Sequence, residues 1–376
     1  MNRLVRCIAV FGLLTSGIFP SLAQTRKTFV VGLETRSFVD ENRHNYSNTG
    51  PRPLETVIWF PASPGTTAAI PPDPDGPVKG MFVLQPIASK AALAAGQKYP
   101  LIVLSHGTSS LAYSMSWLGW FLASHGYIVA GVNHHGNTGA EPKMVPQGFM
   151  LEWDRPKDLS VLIDRMLADP KFGPHIDATR IGAAGHSAGG ATVIEVAGGK
   201  FDVQSLAAFC NAHPKDAGCD LPPIFKQWMA DFEKIRDTDP VIQEELRHQN
   251  EPQRDARVKA VFAMAPAVGH AFPERTLRAI HIPVYVVAGA GDDVVSAANN
   301  AQWYAQNIPQ AQVKIFPGSV GHFVFGSDCT PAGVKALFVC QDAAGVNRAE
   351  IHGETEELAL QFFDRNLRKS AEGVTF

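Results

Sequence analysis

Three side chains of this sequence can do chemistry together, and the first lies in the pentapeptide Gly185-His186-Ser187-Ala188-Gly189. A serine hydroxyl becomes a nucleophile when a base removes its proton. Histidine, held in one tautomer by a carboxylate, is the usual base. The G-x-S-x-G pattern follows the apolar run Ile181-Gly182-Ala183-Ala184 and precedes Gly190-Ala191-Thr192-Val193-Ile194. It therefore reads as strand, sharp turn and helix, with glycines where the turn leaves no room for a Cβ. With 33 glycines in the chain the pentapeptide arises by chance easily enough that it needs partners. Acid and histidine are expected in that order, each in a loop after a later strand. Val284-Tyr285-Val286-Val287-Ala288 runs into Gly289-Ala290-Gly291-Asp292-Asp293. Its spacing favours Asp292, with Asp293 one step further on; either could instead be a helix-capping or loop carboxylate. Lys314-Ile315-Phe316 then leads to Gly318-Ser319-Val320-Gly321-His322. Among 13 histidines, His322 is singled out by its place in this order.

Acyl transfer also needs N–H donors for the oxyanion that develops. One is the backbone N–H of Ala188, directly after the nucleophile. The second belongs to the loop after an early strand, Ser105-His106-Gly107-Thr108, where the N–H of Thr108 is the candidate. His106, Gly107 and His134 are candidates to line the site. His186, inside the pentapeptide, reads as a packing or hydrogen-bonding neighbour. The side chains of His134 and His135 point in different directions, so they do not share a metal ion. No metal or cofactor site is expected anywhere in the chain.

The elements that must position these groups can be read from periodicity. Residues 28–33, 56–60 and 81–84 are short β-rich runs separated by Pro and Gly, an antiparallel entry to a sheet. Residues 101–104 are wholly apolar, as in a parallel strand buried on both faces. Further strands are expected at 127–130, before Ser187, and at 258–264, 284–288 and 313–316. Helices are expected at 115–124, 154–168, after Ser187, at 297–306 and at 354–367. Trp117, Trp120 and Phe121 form an aromatic face that either packs inward or meets an acyl chain. Strands alternating with helices imply an α/β fold, a mostly parallel central sheet with helices on both faces. Residues 201–257 interrupt the alternation with two helical stretches, 224–235 and 240–248. They are expected to form a helical cap above the carboxyl ends of the strands, where open α/β sheets bind ligands. A solvated insertion is the competing reading.

Residues 1–23 read as a signal peptide: Arg3 and Arg6, an apolar stretch too short to span a bilayer, then small residues at 21–23. An N-terminal anchor is the alternative. The remainder, 24–376, is expected to be a single domain exported to the bacterial periplasm or medium. No other segment is apolar enough to cross a membrane. A net charge of −3 argues against nucleic acid as a partner. Cys210, Cys219, Cys329 and Cys340 form two close pairs. In an oxidising compartment, short-loop disulfides within each pair are favoured over zinc, although sequence leaves the connectivity open.

Beyond these features, the chain resembles the α/β-hydrolase superfamily. Within it, the chain is similar to bacterial exported proteins described as predicted dienelactone hydrolases, relatives of the platelet-activating-factor acetylhydrolases. The likeness is carried by Asp40, Arg43, Arg52-Pro53, Ser105-His106-Gly107, Asn133-His134-His135-Gly136-Asn137, Arg155-Pro156-Lys157-Asp158 and the pentapeptide. Dienelactone hydrolases use a cysteine nucleophile, whereas this chain has Ser187. In the acetylhydrolases the acid follows the strand nearer the nucleophile, whereas here it is expected one strand later. The resemblance implies an α/β-hydrolase fold and a serine carboxylesterase acting through an acyl-enzyme on a small or polymeric ester. The alternatives are a short-acyl phospholipid deacylase and a non-catalytic binding protein on the same scaffold.

Overall fold

The computed structural model describes residues 28–73 and 78–368. The expected leader, 1–23, lies outside them. Nine strands form one sheet: β1 Val31–His44, β2 Pro51–Pro61, β3 Ala88–Ser89, β4 Tyr99–Ser105, β5 Ile128–Val132, β6 Ile176–His186, β7 Val258–Met264, β8 Val284–Gly289 and β9 Gln312–Phe316. Their order is β3-β1-β2-β5-β4-β6-β7-β8-β9. β1 and β2 pair antiparallel and β2 joins β5 antiparallel, whereas β5 through β9 are parallel throughout. The helices are α1 Ser116–Ser124, α2 Pro146–Met150, α3 Asp154–Ala168, α4 Ala188–Ala197, α5 Val203–Ala212, α6 Pro223–Ile235, α7 Pro240–His248, α8 Glu274–Leu277, α9 Ala301–Asn307, α10 Pro331–Ala336 and α11 Arg348–Leu367.

The wholly apolar sequence of β4 has a direct packing reason. Leu101 and Val103 face the core formed with α3 and α4, while Ile102 and Leu104 face the core formed with α1 and α11. Leu159, Leu162, Ile163 and Met166 of α3 are all fully buried, as their spacing predicts. Trp117 of α1 packs inward, stacked on His352 at 3.9 Å with its indole N–H donated to the Phe325 carbonyl. It is therefore core, not a surface for an acyl chain.

Several boundaries differ from the sequence expectation. Residues 81–84 form no strand beyond one isolated bridge, Phe82 to Cys329. β1 runs to His44, past its apolar start, because its polar residues Asp40 and Arg43 are engaged in buried ion pairs. α9 begins at Ala301 and α11 at Arg348.

Residues 201–257 carry α5, α6 and α7, with Asp202 and Asp239 capping α5 and α7. They attach to loops that leave the carboxyl ends of the parallel strands. Gln147 and Trp153 after β5 bond to Asp239 and to the Glu245 carbonyl. His270 after β7 stacks on Phe209, and Asn299 after β8 bonds Asp216. The cysteines are joined as Cys210–Cys219 and Cys329–Cys340, which removes zinc as a role for them. Opening the first pair by double Cys→Ser substitution is expected to cost about 2–3 kcal/mol from regained loop entropy. Urea denaturation measures this, and unchanged stability would contradict it.

Candidate active site

Ser187 sits where β6 turns into α4, at φ 56° and ψ −121°, a conformation that L residues rarely adopt. Two close backbone approaches make the turn possible. A Cβ on Gly185 would lie 2.1 Å from the Gly189 carbonyl oxygen, and one on Gly189 would lie 1.9 Å from that of Ser105. Neither position admits any residue but glycine. The turn is pinned to the end of β7: the Ser187 N–H donates to the Met264 carbonyl at 2.9 Å, and the Ala267 N–H to the Ser187 carbonyl at 3.1 Å.

Chain order brings the three expected side chains into contact. His322 Nε2 lies 2.9 Å from Ser187 Oγ, and His322 Nδ1 lies 2.8 Å from Asp292 Oδ2. The other Asp292 oxygen accepts the N–H groups of Val294 and Val295 at 3.0 and 2.7 Å. The carboxylate is thus held by its own loop and faces Nδ1, which leaves Nε2 free to accept the serine proton. Asp293 is exposed. His322 and the Asp292 side chain are buried, whereas Ser187 remains partly open.

The expected oxyanion donors border this group. Ala188 opens α4, so its N–H has no acceptor within the helix. The loop after β4 passes close to the nucleophile: a Cβ on Gly107 would lie 3.1 Å from the Ser187 Cβ. Thr108 donates its N–H to no acceptor among the described residues, whereas the next N–H, of Ser109, is taken by Asn137 Oδ1 at 2.7 Å. Asn137 also donates to the Gly148 carbonyl, tying this loop to α2.

Of the four residues considered as lining, Gly107 is at the site. His186 is a neighbour, its ring 4.8 Å from that of His322 and its Nε2 3.1 Å from the His322 carbonyl. His106 and His134 do not line the site. Both are fully buried and turned into the protein, His134 onto Ser105 and Asp158. Residue type and position singled out Ser187, Asp292 and His322, which lie in contact, but gave no role to Asp158, Arg43, Arg52 or Arg155. The available signal was that these residues lie in the motifs that carry the family resemblance, Arg43, Arg52-Pro53 and Arg155-Pro156-Lys157-Asp158. Asp158 accepts Arg43 Nη2 at 2.5 Å, Arg52 Nε at 2.8 Å and Arg52 Nη2 at 3.0 Å. The two guanidinium groups and His134 outweigh the burial that opposes ionisation, so this carboxyl is held well below the usual carboxylate range.

A second buried carboxyl behaves in the opposite way. Burial, opposed by Arg52 and Arg43 and reinforced by Glu245, pushes Asp154 up to about 7. Its Oδ2 accepts the Tyr46 hydroxyl, while its buried Oδ1 has no donor. A proton there can be shared with Glu245 of α7, whose other partner is Lys157 at 3.1 Å. The folded pKa lies above the ordinary 3.8, so the folded form binds the extra proton. Its stabilisation is complete below about 3.8 and is lost as pH rises through about 7. Limited proteolysis of residues 201–257 is expected to quicken between pH 6 and 8, and Asp154→Asn to flatten that profile. A wild-type protein cut at the same rate across this range would contradict the shared proton.

A cavity of about 740 Å³ opens between the end of β1, α3 and α7, lined by Asp40, Lys157, Glu244 and His248 among others. Ser187, Asp292 and His322 do not border it. Among the described residues no group of three or more His, Cys, Asp or Glu is placed to hold a metal ion, and no helix is long and apolar enough to cross a membrane.

The chain is similar to several known proteins. Residues 81–162 match the family model of platelet-activating factor acetylhydrolase, isoform II. The platelet-activating factor acetylhydrolase of Bos taurus is 27% identical over 165 residues, covering 32% of this chain and 37% of the relative. Cutinase est1 of Thermobifida alba is 29% identical over 125 residues, covering 33% of this chain and 38% of the relative. The chain thus spans little more than a third of the length of the curated relatives it matches. The solved structure of a ferulic acid esterase from Streptomyces cinnamoneus superposes with a TM-score of 0.61 at 20% identity, covering 93% of this chain and 94% of that one.

Proposed function

We propose that this protein, an α/β-hydrolase in fold and ancestry, is a serine carboxylic ester hydrolase. The single observation that carries the reading is the unbroken chain Ser187 Oγ, His322, Asp292, with both hydrogen bonds under 3 Å. In this mechanism His322 takes the Ser187 proton as Oγ bonds to the ester carbonyl carbon. The N–H groups of Ala188 and Thr108 hold the oxyanion, and Asp292 stabilises the imidazolium. Collapse breaks the acyl–oxygen bond, and His322 passes the proton to the departing alcohol. Water, deprotonated by the same histidine, then frees the acid and restores Ser187. An intact relay argues against a purely binding role, which a scaffold alone would permit.

Residues 201–257 act as a cap that shapes access to Ser187, because they are anchored to the loops after β5, β7 and β8. Two short-loop disulfides support export to an oxidising compartment, the periplasm or medium, after removal of residues 1–23. Deacylation of short-acyl phospholipids is a second reading, favoured by the acetylhydrolase family match. A fluorophosphonate probe is expected to label Ser187, as mapped by mass spectrometry; protein left unlabelled would sink the esterase assignment. Turnover of a short-acyl phospholipid above nitrophenyl, feruloyl and polyester substrates would select the second reading.

A further inference from the structure

Residues from several distant segments, none of which touches the reacting groups, meet behind the loop 105–108. Asp158 of α3 is their hub. Its Oδ2 lies 2.9 Å from His134 Nδ1, and His134 Nε2 lies 2.8 Å from Ser105 Oγ. This is a second serine–histidine–aspartate row, but all three members are fully buried, so Ser105 cannot meet a substrate. What the row does is hold His134. The backbone N–H of His134 donates to His106 Nε2 at 3.0 Å. A ring nitrogen that accepts carries no proton, so neutral His106 carries its proton on Nδ1. Burial, with His134 and Arg155 nearby, holds the His106 pKa well below the usual imidazole range, so the ring stays neutral.

His106 Nδ1 lies 2.7 Å from the Gly107 carbonyl oxygen and donates to it. That carbonyl and the Thr108 N–H belong to one planar trans peptide and point in opposite directions. Fixing the carbonyl on one side therefore aims the N–H to the other. Arg155 holds the preceding peptide through the His106 carbonyl and is itself bonded to Thr192 of α4.

We propose that His106 is a positioning residue for ester hydrolysis. Its Nδ1–H locks the Gly107–Thr108 peptide so that the Thr108 N–H faces the oxyanion, and the Asp158–His134 pair holds His106 in that tautomer. The proposal rests on the serine esterase reading. His106→Asn keeps an amide donor near the place of Nδ1, whereas His106→Gln keeps the acceptor for the His134 N–H and loses that donor. His106→Gln is expected to lower kcat on nitrophenyl acetate on the order of 100-fold with KM nearly unchanged, since an oxyanion donor acts in the transition state. His106→Asn is expected to stay within about fivefold of wild type. Crystal structures should find the Gly107–Thr108 peptide retained in the Asn variant and turned in the Gln variant. If His106→Gln does not fold, His106→Leu takes its place with the same expectation. Wild-type kcat without the donor, equal losses in both variants, or an unturned peptide overturns the proposal. A wild-type protein inert towards esters and towards the fluorophosphonate defeats the esterase reading instead, and the peptide orientation in the variants still decides the role of His106.

Discussion

Ser187→Ala is expected to lower kcat on nitrophenyl esters by about 10⁵- to 10⁶-fold, the scale on which serine triads fail when the nucleophile is lost. The substitution removes one oxygen at a partly open position and leaves the backbone unchanged, so stability should shift by no more than about 0.5 kcal/mol. Asp292→Asn tests the same relay from its far end. An amide in that place favours the wrong imidazole tautomer, and a loss of about 10⁴-fold is expected with the fold intact. Asp293→Asn, at an exposed side chain, should leave kcat unchanged. Initial rates with thermal melts on the same samples check all three. Appreciable hydrolysis by Ser187→Ala, or equal losses at the two aspartates, would show that the bond is broken by other groups.

The largest effect on stability is expected at Asp158. Replacing it with Ala leaves Arg43 and Arg52 without their main counter-charge in a nearly waterless site, and removes the partner of His134. Breaking such a buried pair from one side costs about 3–5 kcal/mol, because the orphaned charge cannot return to water. The sign of the pH effect follows. The folded pKa lies below the ordinary 3.8, so the folded form binds fewer protons than the unfolded one. This contribution is complete above about 3.8 and is lost as pH falls from there towards the folded value. Urea denaturation of wild type and Asp158→Ala at pH 7 and pH 3 measures both effects. A loss under about 1 kcal/mol at pH 7 would mean that the site admits water and that the pair is an exposed one in energetic terms.

The two networks differ in how far they could be read before the fold was known. The sequence by itself determined the alternation of strands and helices, because apolar period and length are local properties. α3 and β7 fall at 154–168 and 258–264 as their patterns predict. It also determined the order of Ser187, Asp292 and His322, since each must leave the carboxyl end of a strand in a parallel sheet. The polar extension of β1 was not legible: a strand whose residues form buried ion pairs shows no apolar alternation. Residues 81–84 looked like a strand by composition but find only one bridging partner.

Only the tertiary structure decided which aspartate faces His322. Asp292 and Asp293 are neighbours of one type, and the turn that bonds Asp292 to Val294 and Val295 separates them. It also decided that His106 and His134 are turned inward, away from substrate. The His134 ring is held by Asp158 of α3 and Ser105 of β4, 24 and 29 residues away along the chain. Local periodicity carries no record of such convergence, because a hydrogen-bonded network is specified by distances that exist only after the sheet has assembled.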